Sequence, residues 1–230
     1  MLTRLAKSAG RGTPAAGLCA AVAAWASCAD AQLRLPGEGG DVLIQSPEHR
    51  VQVVSTARPD PGEQVAFDAF ASNTLYYGAL YIDAIAADLA YYVSDFHTLE
   101  AAKTVAKAAC EGGGGAESQC ELYATATPLA DKAFEEGVHT LSESSAREFL
   151  EAFLTLEKTT MFGAFSVSGL GDMAYFVLPQ SAESVSEQAQ EACLGFAAGT
   201  VANLPSAAQR AATQARLDTC RVIYLRYPRG

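Results

Sequence analysis

The chain has 230 residues, half of them apolar and 18% charged, with a formal charge of −10 at pH 7. That is enough apolar material for one compact domain or two small ones, and too little charge for a disordered polyelectrolyte. So acidic a surface opposes phosphate backbones and anionic lipid, so nucleic acid is not an expected partner, whereas a basic partner would suit it.

Residues 1–31 read as an export signal. Arg4, Lys7 and Arg11 make a basic start, an alanine-rich apolar stretch runs from Ala15 to Ala26, and Ala29-Asp30-Ala31 fits the small-x-small cleavage pattern before Gln32. The apolar stretch is too short for a membrane span, so no stable insertion is expected after cleavage. A lipid anchor on Cys28 is disfavoured by Trp25, which sits where such signals carry a small aliphatic residue. Cleavage would take the net charge to about −12 and six cysteines to four, in an exported protein, periplasmic or extracellular.

Residues 32–66 form a Pro/Gly-rich arm with one strand candidate, Arg50 to Ser55, suited either to a sheet edge or to an unanchored segment. A first module spans residues 67–128. Leu75–Ile82 reads as a strand, Asp83–Asp88 as a turn, and Leu89–Val93 as the returning strand. Thr98 stands where a helix N-cap belongs, and Ala102, Val105, Ala106, Ala109 and Cys110 make one apolar stripe at helical spacing. Glu111 and the tetraglycine Gly112–Gly115 read as the end of that helix, giving slack before a third strand opens at Cys120. Residues 129–160 read as a helical connector broken at Gly137. Ser145-x-x-Glu148 offers a capping box, and Phe149, Leu150, Phe153 and Leu154 give an apolar face.

Residues 161–230 repeat the order of the first module. Met161–Val167 answers the first strand, Gly169-Leu-Gly171 makes the turn, Ala174-Tyr175 matches Ala90-Tyr91, and Ser181 takes the cap position of Thr98. A further helix is expected from Ser206 to Leu217 behind Pro205. The copies share a phrase running from a cysteine through a strand to a proline, Cys120–Pro128 and Cys220–Pro228. Four cysteines in an exported chain allow three connectivities. Duplication selects Cys110–Cys120 and Cys193–Cys220, because each pair then closes within its own copy. Neither spacing suits a zinc knuckle, and no clustered histidines or carboxylates call for a metal. The expected fold is α+β: two β-β-α-β modules, each an antiparallel sheet with a disulfide-linked helix, joined by a helical connector.

The order of Gly78-Ala79 hairpin, Ala90-Tyr91 return strand, Thr98 cap, Cys110 and Cys120 resembles a family of small secreted bacterial disulfide-stapled domains of unknown function, here in two copies. The resemblance implies a fold and an exported location but no reaction.

Chemistry is sparse. Of three histidines, His49 and His139 lie in ordinary surface settings, while His97 lies just before the Thr98 cap, near Asp95, Tyr91 and Tyr92. An Asp–His pair beside a helix start can hold an anion or move a proton. Ser166–Gly171 lacks the glycine of a nucleophile elbow, and the tetraglycine lacks the Lys-Ser/Thr of a phosphate loop. The cysteine spacing suits inert staples rather than thiol exchange. No catalytic residue and no cofactor are expected, since no lysine has a pyridoxal-phosphate context. Tyr76, Tyr77, Tyr81, Tyr91, Tyr92 and Tyr123 crowd the first module's strands, where an exposed row would suit a protein, peptide or glycan. The reading is an exported, non-enzymatic interaction protein that binds through a sheet face or the cleft between copies. Its alternatives are a small envelope hydrolase using His97 and Asp95, or a purely structural envelope component.

Overall fold

The computed structural model describes residues 32–45, 48–86, 88–129, 138–156 and 160–228. The signal-like segment and its Cys19 and Cys28 lie outside them, as does the predicted break at Gly137.

The protein is α+β, and its two β-β-α-β units share one strand order. In the first, β4 (Gly78–Asp83) and β5 (Ala90–Val93) form a hairpin, α2 (Leu99–Gly114) follows, and β6 (Cys120–Pro128) returns antiparallel to the free side of β4. In the second, β8 (Phe162–Ser168) and β9 (Met173–Leu178) form the hairpin, α4 (Ala182–Ala202) and α5 (Ser206–Gln214) follow, and β10 (Cys220–Arg226) returns beside β8. Third strand, first strand, second strand is therefore the order in both sheets. Both third strands carry a bulge at the same offset: Tyr123 and Ile223, each three residues after its cysteine, are skipped by the pairing. Thr98 and Ser181 cap α2 and α4, their side chains accepting from the amides of Ala101 and Ser184.

The disulfides are Cys110–Cys120 and Cys193–Cys220, with Cα atoms 6.1 and 6.0 Å apart. Each ties a helix to the first residue of the strand that follows. In the first unit this holds α2 on the sheet, where Ala102, Val105, Ala106, Ala109 and Cys110 are all buried.

The first strand of each unit is buried on both faces, so apolar side chains occur on both of its sides. In β4, Ala79 and Tyr81 face α2, whereas Leu80 and Ile82 face the opposite layer. That layer is α1 (Pro61–Asn73), which sequence reading missed. Its signals are local: Asp60 accepts from the Glu63 amide, the Glu63 carboxylate accepts from the Asp60 amide, and Pro61 opens the helix. In β8, Ala164 packs on α4, while Phe165 and Val167 meet Phe149 and Phe153 of the connector.

The arm is built into the fold. β1 (Leu33–Gly37) and β2 (Gly40–Ile44) form a hairpin whose Val42 and Ile44 are fully buried. β3 (His49–Val53) adds to the outer edge of β6, slightly ahead of the expected strand. The two bulged residues receive it: the Val54 amide donates to the Tyr123 carbonyl at 2.9 Å, and the Glu38 amide to the Ile223 carbonyl at 2.9 Å. A bulge turns its carbonyl out of register with its own partner strand, which frees it for an outside donor.

The connector is not wholly helical. β7 (Val138–Thr140) pairs parallel with β2 before α3 (Glu143–Glu148), which runs into one π turn at Phe149–Phe153. The cap of α3 is Ser142, not Ser145. Ser145 is buried, and its hydroxyl donates to the Gly171 carbonyl at 3.0 Å. The stretch Glu111–Gly115 does end α2, at Gly115, whose φ is +75°, but Gly112–Gly114 are helical rather than slack. Glycine is required there by close approach. A Cβ on Gly112 would lie 2.5 Å from the Ala207 Cβ of α5, whose Ala208 and Ala212 are buried in the core of the first unit. The added helix inside the second disulfide loop thus clasps the first unit.

Candidate functional site

Where the two units and the connector meet, three backbone segments lock together. Asp95 adopts a left-handed conformation (φ 65°), and its Oδ1 accepts from the Ser144 amide at 3.1 Å. The His97 Nδ1 accepts from the Ser142 amide at 2.7 Å, and the His97 carbonyl accepts from the Thr140 hydroxyl at 2.5 Å. From the second unit, Gly171 (φ 99°) comes against the Asp95 carbonyl so closely that no side chain would fit. Its own carbonyl accepts from the hydroxyls of Ser142 and Ser145.

Behind this lock lies a cavity of about 290 Å³. Its first-unit wall is the amino-terminal end of α2, with His97 and Thr98. Its connector wall includes Thr140 from β7, and its second-unit wall includes Ser168, Arg216 and Arg221. The two arginines flank Cys220, so the second disulfide fixes the loop that presents them. Arg216 sits in a left-handed turn after α5 (φ 55°), its carbonyl accepting from the Thr219 hydroxyl at 2.7 Å. Arg221 is the second residue of β10 and pairs with Val167.

The electrostatics are one-sided. The lining contains no aspartate or glutamate. Arg216 and Arg221 are exposed, and among the described residues neither makes an ion pair or side-chain hydrogen bond. His97 is only 5% exposed, and burial holds its pKa down at about 4, with Arg221 adding a smaller push in the same direction. It is neutral at physiological pH. Because Nδ1 accepts from an amide, the ring proton resides on Nε2. The Asp172 carbonyl, the largest influence after burial, pulls the other way as an acceptor for the ring N–H, and Nε2 itself is buried.

Of the four side chains singled out by sequence, only His97 lines the cavity. Asp95 forms no hydrogen bond with His97; the two serve different amides of the connector. Tyr91 packs against the α2 core, and Tyr92 is 38% exposed with its ring edge on Phe70. Tyr76 and Tyr77, which lie in a bend just before β4 rather than in the expected strand, are buried, as are Tyr81 and Tyr123, so there is no exposed tyrosine row. His139 is not a surface residue either. It is buried in β7, its Nε2 donates to the Glu38 carbonyl at 3.0 Å, and burial lowers its pKa. Arg216 and Arg221 were missed, because only the fold brings isolated arginines to one wall. The one signal for them was their position astride the last cysteine. No group of three or more His, Cys, Asp or Glu side chains suited to a metal occurs among the described residues. None of their helices is long and apolar enough to cross a membrane.

Comparison with protein-family models, curated proteins and solved structures found no match.

Proposed function

We propose that the chain is an exported, non-enzymatic binding protein whose ligand occupies the cavity between its two β-β-α-β units, and that these units arose by duplication. The observation that carries the reading is the cavity, which draws its walls from both units and the strand between them. Its polar groups suit recognition better than catalysis. His97 is held by one backbone amide, Asp95 is engaged elsewhere, and the Ser168 hydroxyl is bonded to Asp172 and to two amides. No nucleophile stands beside a base. A small ligand is favoured over a protein, peptide or glycan surface, because the aromatic side chains that would grip one are mostly buried. Export is supported by the signal-like residues 1–31 together with two disulfides, which suit an oxidising compartment. Duplication is supported by the shared strand order, the matching helix caps and the bulge three residues after each cysteine.

The test is thermal unfolding of the mature, disulfide-bonded protein against low-molecular-mass fractions of its growth medium and envelope. A ligand of the folded state raises Tm by mass action. Thr219→Trp, at an exposed position on the rim, fills the mouth of the cavity. A fraction that stabilises the wild type but not Thr219→Trp is the expected result. Equal stabilisation of both proteins, or none of either, would overturn the reading.

A further inference from the structure

We infer that the cavity between the units takes a tetrahedral dianion, phosphate or a compact phosphomonoester, clasped between Arg216 and Arg221. The inference rests on the cavity being the binding site. Hydrogen-bond accounting of the wall leads to it. The Thr140 hydroxyl proton is committed to the His97 carbonyl, that of Thr219 to the Arg216 carbonyl, and that of Ser168 to Asp172. The side-chain donors left over are the two guanidinium groups and the Thr98 hydroxyl. Thr98 Oγ1 accepts from the Ala101 amide, which leaves its proton free, whereas the His97 Nε2–H is turned towards the Asp172 carbonyl and buried away from the cavity.

Charge points the same way. In a chain with 26 acidic and 16 basic side chains, two arginines meet at one cavity with no carboxylate in its wall. A dianion at that wall would neutralise both guanidinium charges. The positive end of α2, a helix of 16 residues, adds to the field through Thr98 and Ala101, which both line the cavity. A monocarboxylate supplies one charge and two oxygens. A phosphoryl group supplies nearly two charges and three oxygens, which match two planar forks and the Thr98 hydroxyl. The volume lies at the lower end for small-molecule sites, leaving room for an ester of a few carbon atoms beyond the phosphoryl group.

Calorimetric titration of the mature, disulfide-bonded protein with inorganic phosphate, glycerol 3-phosphate and succinate tests this, in the wild type and in Arg216→Gln and Arg221→Gln. Both arginines are exposed, so the variants should keep the wild-type Tm. We expect both phosphorus compounds to bind, succinate to bind about tenfold more weakly, and each substitution to raise Kd about tenfold or more. Tighter binding of the ester than of phosphate identifies a phosphomonoester as the source, and the reverse order identifies the free anion. Succinate binding as tightly as phosphate, absence of binding by both phosphorus compounds, or binding that neither substitution weakens would overturn the inference. If the phosphorus compounds fail while a natural fraction still stabilises the wild type and not Thr219→Trp, the cavity stands as the site and only the ligand class falls.

Discussion

Replacing Gly112 with alanine should destabilise the protein, although the same change in a helix ordinarily stabilises it. Gly112 lies inside α2, where alanine gains roughly 0.5–1 kcal/mol over glycine in helix propensity. Its new Cβ would lie 2.5 Å from the Ala207 Cβ, so α5 must retreat by about 1 Å to restore an ordinary carbon–carbon separation. That retreat loosens Ala208 and Ala212, which are fully buried against α2. Overpacking of this kind costs about 1–3 kcal/mol, so the net loss should be about 0–2.5 kcal/mol. Gly195, inside α4, is the internal control. A Cβ there would meet nothing within 4 Å, so Gly195→Ala should stabilise by roughly 0.5–1 kcal/mol. Urea unfolding under oxidising conditions measures both. Adding Ala207→Gly to Gly112→Ala removes the collision, and the pair should show a favourable coupling of about 1 kcal/mol. If Gly112→Ala stabilises as Gly195→Ala does, α5 does not clasp the first unit.

Three further outcomes can be measured. Serine replacement of Cys193 and Cys220 should cost more than replacement of Cys110 and Cys120, about 3.6 against about 2.8 kcal/mol in denaturant melts, because the loop closed is longer. His97 has its folded pKa depressed by burial to about 4, so the unfolded state binds more protons between the ordinary value of 6.5 and that level. Stability should therefore fall as pH drops across that window, more steeply in the wild type than in His97→Asn, with part of the residual slope due to His139, whose pKa is also lowered. Asp83 accepts from the Ser118 hydroxyl and from the amides of Ile85, Ala86 and Gln119, the Ser118 bond being the largest influence in bringing its pKa down to about 2. Its stabilisation is complete above the ordinary carboxylate value and lost towards pH 2, so the Tm gap between wild type and Asp83→Asn should close on acidification through that range.

Elements fixed by local chemistry were legible in the sequence: the Thr98 and Ser181 caps, the apolar stripe of α2, the turn at Gly169–Gly171, and α5 behind Pro205. The disulfides followed from the repeated cysteine-to-proline phrase, since order along the chain limits which partners close within a unit. What stayed hidden depends on distant partners. Gly112–Gly115 has the composition of a loop, but three of its four residues extend α2, and Gly112 is shaped to α5 about ninety residues later. The Pro/Gly-rich arm read equally as an edge strand or an unanchored segment because its strands are short, and the carbonyls of Tyr123 and Ile223 that receive it are freed only by bulges. The candidate site was half legible. His97 stood out by its place before a cap, whereas its apparent partner Asp95 turned out to hold a different amide. Arg216 and Arg221 gave no pattern, since a wall built from a turn, a strand and a helix start leaves no spacing in sequence.

The most direct measurement of the central claim is the map of backbone amide shifts in a ¹⁵N NMR titration with glycerol 3-phosphate. Binding between the units predicts saturable shifts confined to His97–Ala102, Ser168–Gly169 and Arg216–Arg221, absent from a protein carrying both Arg216→Gln and Arg221→Gln. Shifts scattered over other surfaces, or a titration that leaves those three segments unmoved, would contradict it.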